Sequence, residues 1–286
     1  MSEQEQEQEL TIRRILVALD ASTHSLAALQ AAAAMAAQMH AELVGLYVED
    51  ENLLHFAGLP FAREVRAPSA RRQKTDSQRM EEQLRLQAAQ ARRALAKAAR
   101  AVETQWRFNV VRGQVTEAIL EAALDADLLA LGRFSRPFTG QGRLGSTARA
   151  ATSIQRGALL FTQRGRDLTY PVLVTYDGSA QARQALAAAA QLSAVNNNQL
   201  NVLLLAETTK ETEQLKEQAL SWLRDHQFEK EVEFHWLRET STEKLTEMVQ
   251  AVDDCVLVLG GDNPLLKAES IQDLLDQTDC PVMLVR

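Results

Sequence analysis

Residues 15–22 read ILVALDAS, and residues 172–179 read VLVTYDGS. Each is a buried-type strand that closes on an aspartate. Further on, residues 125–132 read DADLLALG and residues 253–260 read DDCVLVLG, so each half also holds a second buried-type strand that ends in glycine. Runs that are apolar throughout, with no polar alternation, belong to strands covered on both faces. The same order therefore occurs twice, in repeat units of about 140 residues, which is the size of a domain and not of a solenoid repeat.

Outward from these strands the first half alternates. Residues 15–19 read as a strand and 22–40, Ala-rich and free of Pro and Gly, as a helix with Ser22 or Thr23 at its N-cap. Strand 43–48 follows, then a stretch over 49–74 that reads as a long ordered loop because it holds Gly58, Pro60 and Pro68. Helix 76–102, strand 106–111, helix 116–124, strand 128–131, a glycine-containing loop 133–144, a helix from 145 and a strand 158–161 complete this half. The second half repeats the pattern, with strands at 172–176, 200–205, 232–237, 256–259 and 282–285 and helices between them. Five strands alternating with helices in each half imply an α/β fold, a parallel sheet with helices on both faces. The reading divides the chain into a disordered polar tail (1–10), a first domain (11–163) and a second domain (169–286) joined by a short polar connector.

The balance of charge narrows the function. The 286-residue chain carries a net charge of −7, which argues against a general nucleic-acid binder. Residues 1–10, MSEQEQEQEL, lack the basic and apolar regions of a secretory signal, and the apolar run 31–37 is too short to span a bilayer. A cytoplasmic protein without membrane contact is expected. The five histidines show no metal-ligand spacing. Cys255 and Cys280 read as buried thiols in a reducing compartment, with a redox pair as the other reading.

In parallel sheets ligands bind beyond the carboxyl ends of strands, near the switch in strand order. Asp20, Gly132, Asp177 and Gly260 all occupy such ends. In the first half Gly132 is followed thirteen residues later by Gly145, Ser146 and Thr147 at the start of a helix, where free N–H groups suit a phosphate. Arg133, Arg136, Arg143 and Arg149 lie in the same stretch, without a carboxylate among them. That is a polyanion's environment, or else a solvated face with two turn glycines. Asp20 could accept from a base or ribose, or could cap the helix after it. Leu53, Leu54, Phe56, Leu59 and Phe61 are apolar for a loop. They read as a cover for the edge of this site or as a contact with the other domain. The basic and acidic mixture over 78–100 reads as a solvated outer face.

These segments resemble a tandem universal stress protein of the UspA type, over nearly everything from Ile12 to Arg286. The carriers are ILVALDAS and VLVTYDGS, the closing TDCPVMLVR, and a G-x2-G-x9-G-[S/T] pattern on Gly132, Gly145 and Ser146, with Ser135 where the family has its second glycine. The resemblance implies two Rossmann-like domains of the adenine nucleotide alpha hydrolase-like type, with their last strands (158–161 and 282–285) paired to form an intramolecular pseudo-dimer. A further homodimer would be compatible with it. It also implies ATP or another adenine nucleotide in the first domain, with Mg as an accompanying ion. Ala18, Leu19 and Asp20 would line the adenine and ribose end, Val44 or a neighbour would close the base pocket, and Gly132, Ser135, Gly145, Ser146 and Thr147 would hold the phosphates. If the position of Ser135 needs positive φ, its side chain costs about 1 kcal/mol there; its hydroxyl can itself donate to an anion. An altered site, not an abolished one, is expected.

The second half reads Gly260-Gly261-Asp262-Asn263 and places Asp273 where the third glycine would fall. Asp262, Glu269, Asp273 and Asp276 face one cation, Lys267, so no nucleotide is expected there. The leading functional reading is a stress-response binding and signalling module with an unidentified protein partner. A scaffold with both sites empty and a weak ATP hydrolase are the alternatives. Stretch 132–149 supplies no base and no metal carboxylate, which favours holding a nucleotide over cleaving it.

Overall fold

A computed structural model describes the chain at residues 11–20, 22–57, 63–66, 71–74, 77–133, 144–154, 156–163, 168–196, 199–238, 241–252, 254–261 and 268–286. The first half runs β1 (Arg14–Ala18), α1 (Thr23–Gln38), β2 (Glu42–Asp50), α2 (Glu51–Ala57), β3 (Arg63–Arg66), β4 (Arg71–Lys74), α3 (Ser77–Ala101), β5 (Trp106–Gly113), α4 (Val115–Ala123), β6 (Leu128–Gly132), α5 (Ser146–Ala151) and β7 (Ala158–Thr162). The second runs β8 (Val172–Tyr176), α6 (Ala180–Asn196), β9 (Leu200–Leu205), α7 (Thr209–Asp225), β10 (Val232–Leu237), α8 (Thr242–Ala251), β11 (Val256–Gly260), α9 (Ala268–Gln277) and β12 (Val282–Val285).

Ten strands form one sheet in the order β10-β9-β8-β11-β12-β7-β6-β1-β2-β5. Within each half of this sheet neighbouring strands are parallel, and the halves meet where β12 and β7 pair antiparallel, Val282 opposite Phe161 and Val285 opposite Ala158. All eight residues of that seam are buried. The expected pseudo-dimer is thus a single sheet, and pairing removes two apolar edges that would otherwise invite aggregation.

The alternation of side chains along β1 shows how both faces are filled. Ile15 and Val17 enter one core and Leu16 the other. The first core lies under α1, α3, α6 and α7, the second under α4, α5, α8 and α9, and each spans both halves. The Ala-rich α1 and α6 bring their backbones close to the sheet, because alanine adds little thickness. Ser22 caps α1 by accepting from the Ser25 N–H at 3.1 Å, which decides between the two expected caps.

Stretch 49–74 departs from expectation. It contains the seven-residue α2 and the antiparallel pair β3–β4, not a loop alone. Strand β2 also runs on to Asp50, past the expected end at 48. The tail 1–10 lies outside the described residues.

Candidate functional site

Each half has the strand order 3-2-1-4-5, so its order reverses between its first and fourth strands. In the first half that is the gap between β1 and β6. A cleft of about 560 Å³ lies there, at the strands' carboxyl ends. Of the residues expected to hold a nucleotide, Ala18, Leu19, Asp20, Gly132, Ser146 and Thr147 line it. Val44 does not. It is 7% exposed and belongs to the second core, while Leu46, Tyr47 and Val48 further along β2 reach the cleft. The extension of β2 to Asp50 is the reason: the carboxyl end of the strand lies six residues beyond Val44. Gly145 stands just outside as the N-cap of α5, in extended conformation, and donates its N–H to the Arg133 carbonyl at 2.9 Å. Ser135 lies outside the described residues.

Asp20 does what a local role requires. Its Oδ1 accepts from the Ser22 N–H at 2.9 Å and so shapes the turn into α1. Asp177 in the second half accepts from the Ser179 N–H at 3.0 Å in the same way. The aspartate shared by the two repeats therefore has a turn to hold in both, whatever else Asp20 does in the cleft.

Gly132 also has a packing role that the sequence reading did not assign. A Cβ there would stand 2.8 Å from the carbonyl carbon of His24 in the first turn of α1. Gly260 is the same case, with a Cβ 2.9 Å from Gln181 in α6. Both glycines let a helix start close against the fourth strand of its half.

For Arg133 and Arg149 the expected arginine-rich mouth is corrected. Arg133 has no exposed surface and reaches into the second half, where its Nη1 donates to the Thr278 carbonyl and its Nη2 to the Cys280 carbonyl at 2.6 Å. Burial lowers its pKa, partly offset by Cys280, Asp279 and Asp276. A guanidinium stays ionised regardless. Arg149 turns the same way, donating to Gln272 Oε1 of α9 at 3.2 Å. Asp276, expected to repel phosphate in the second half, instead accepts from the Leu144 N–H at 2.6 Å. Three charges attributed to ligand selection thus bind the halves together. Arg136, Arg143, Asp262 and Lys267 lie outside the described residues.

Among the described residues the cleft wall holds two carboxylates, Asp20 and Asp50, and no cation. The rest is apolar, hydroxyl or amide. Asp50 Oδ1 accepts from the Asn52 N–H at 2.9 Å, so it too serves a helix start. Thr147 shares a hydrogen bond of 3.2 Å with Thr116 of α4. No group of three or more metal-ligating side chains occurs among the described residues. Helix α5 has only six residues and so offers a small dipole.

The sequence reading missed the contribution of α3. Leu84, Gln87 and Gln90, spaced three apart on one helix stripe, face the cleft, and Tyr47 Oη donates to Gln87 Oε1 at 2.9 Å. That spacing was visible inside a helix whose charged and amide residues were read as a solvated outer face. Of the apolar residues after β2, Leu53 lines the cleft and Phe56 is half exposed, while Leu59 and Phe61 lie outside the described residues. No described helix is long and apolar enough to cross a membrane.

Comparison with known proteins agrees with this architecture. No curated protein matches the chain by sequence. Among solved structures, a universal stress protein from Archaeoglobus fulgidus is similar over 98% of this chain and 99% of its own, with TM-score 0.70 and 16% identity. A putative universal stress protein from Pseudomonas aeruginosa covers 97% and 94%, with TM-score 0.58 and 15% identity. The cytoplasmic domain of a prokaryotic cation chloride cotransporter covers 96% and 95%, with TM-score 0.51 and 13% identity. At these identities the likeness is one of fold, and it extends over both halves. The sequence model of the Universal stress protein family matches residues 11–152. Through residues 11–152 the chain belongs to the universal stress protein family.

Proposed function

We propose that the protein is a binding and signalling module that takes an adenine nucleotide or nucleoside in its first half only. The observation that carries this reading is the cleft at the β1–β6 switch point, lined by Ala18, Leu19, Asp20, Gly132, Ser146 and Thr147. The base would lie against Ala18, Leu19 and the end of β2, and the ribose hydroxyls would meet Asp20. Phosphates would turn toward Gly132, Ser146 and Thr147, with Gly145 at the N-cap of α5 and Ser135 as further contacts. Any magnesium would arrive with the phosphates, since the described wall has no ligand set for it. The two carboxylates of the wall each accept a turn N–H, and neither stretch 132–149 nor its helix supplies a third. Binding is therefore favoured over hydrolysis.

Paired aspartate variants separate the ligand role from the turn role. Asp20→Ala and Asp177→Ala remove the same kind of turn hydrogen bond, so each should lower stability by about 1 kcal/mol. Only Asp20→Ala should weaken adenosine or ATP binding, by about tenfold, in calorimetric titration of nucleotide-stripped protein. Equal affinity in the two variants would remove Asp20 from the site. No binding of either ligand to the wild type would leave the scaffold reading, which the diversion of Arg133 and Arg149 to the inter-half seam already favours over a polyphosphate enzyme.

A further inference from the structure

We propose that Cys255 and Cys280 form a dithiol site, oxidised to an intramolecular disulfide by a hydroperoxide that enters the cavity at the start of β11 and β12. The register carries the geometry. Leu257 pairs with Val282 on these neighbouring parallel strands, and each cysteine lies two residues before its member of that pair. Cys255 directly precedes β11 and Cys280 stands two residues before β12. The Leu257 N–H donates to the Pro281 carbonyl at 2.9 Å, so the ladder reaches the residue beside Cys280, and both cysteines enter the same core as Leu257 and Val282. Neighbouring strands lie about 5 Å apart, inside the Cα span that a disulfide bridges, and the two cysteines stand at the start of two such neighbours. The Cys255 thiol hydrogen-bonds to Cys280.

Access and reactivity are both provided. A cavity of about 280 Å³ is lined by both cysteines together with Val249, Gln250, Asp254 and Thr278. That is room for hydrogen peroxide or a small organic hydroperoxide, although the thiols are only 1% and 8% exposed. The hydrogen bond from Cys255 holds the Cys280 thiol below its usual pKa, helped by the Arg133 guanidinium and by Thr278 and opposed by burial. A thiolate stabilised by a cation is the reactive form of cysteine. Cys280 is thus the attacking sulfur and Cys255 the resolving one.

The chemistry balances in two steps. The Cys280 sulfur attacks the hydroperoxide, an S–O bond forms, the O–O bond breaks, and the alcohol leaves with the thiol proton. Cys255 then attacks the Cys280 sulfenic acid, the S–S bond forms, and the S–O oxygen leaves as water with the Cys255 proton. Two thiols lose two electrons and two protons, and the hydroperoxide is reduced to an alcohol and water.

The full-length protein, treated with hydrogen peroxide, denatured in a maleimide and digested, tests this. Expected is loss of both alkylatable thiols and recovery of the peptides containing residues 255 and 280 as one cross-linked pair, two hydrogens lighter than their sum and separable by dithiothreitol. Cys255→Ser should lose the cross-link and leave Cys280 open to dimedone, and Cys280→Ser should lose both products. Intact thiols in the peroxide-treated wild type would overturn the proposal without recourse to either variant. Disulfides formed only between chains, or dimedone captured mainly at Cys255, would also overturn it.

Discussion

Replacing Arg133 by methionine asks whether that side chain serves the ligand or the seam between halves. Methionine keeps an unbranched apolar stem but ends short of the guanidinium, so a small buried void adds to the loss. What disappears is the pair of guanidinium bonds to the Thr278 and Cys280 carbonyls, made across 145 and 147 residues of sequence. A hydrogen bond from a charged donor contributes about 1.5–3 kcal/mol, and the two carbonyls left behind lie in a buried seam. Against this, a buried cation no longer has to be desolvated, and its Nε has no acceptor among the described residues. The balance is a loss of about 2–4 kcal/mol, since removing one partner of a buried ionic contact costs more than never having had it. With a urea slope of about 3 kcal/mol/M, the unfolding midpoint should fall by about 1 M. Trp106 in the first half and Trp222 and Trp236 in the second give fluorescence probes on both sides of the seam. Stability within about 0.5 kcal/mol of wild type would refute the reasoning, and a loss of nucleotide affinity without loss of stability would return Arg133 to the ligand.

Gly132→Ala and Gly260→Ala should each cost about 1–3 kcal/mol in the same denaturation experiment, because the new methyl group meets helix backbone and not a yielding side chain. Gly113→Ala, with nothing within 4 Å of the added carbon, should stay within about 0.5 kcal/mol of wild type; equal losses at all three would sink the packing account. Ser22→Ala removes the acceptor for the Ser25 N–H and should lower the unfolding free energy by about 1 kcal/mol, while Ser22→Asp should restore most of it.

The duplicated α/β plan was legible in the sequence because continuous apolar runs, Ala-rich helices and strand-end Asp and Gly are local signals. The strands at 172–176, 200–205, 232–237 and 282–285 coincide with β8, β9, β10 and β12. The elements within 49–74 were not legible. Helix α2 has seven residues and β3 and β4 four each, too short for a period to show beside Gly58, Pro60 and Pro68. Of the residues proposed at strand ends, Ala18, Leu19, Asp20 and Gly132 line the cleft, but Val44 was placed on a strand whose end lies six residues later. Gln87 and Gln90 were missed because nothing in a helix's own sequence says which polar stripe faces a cleft.

The sequence alone determined the two-fold repetition, the alternation of strands and helices in each half and the ends of most strands, since each is a local pattern of residues. Tertiary structure alone decided where the charges go. Arg133, one residue past Gly132, could equally have faced a phosphate. It is held instead by carbonyls 145 and 147 residues away, and only the antiparallel joining of β7 to β12 brings them within reach. A long charged side chain takes the nearest acceptors that folding supplies, and those acceptors are not written near it in the chain.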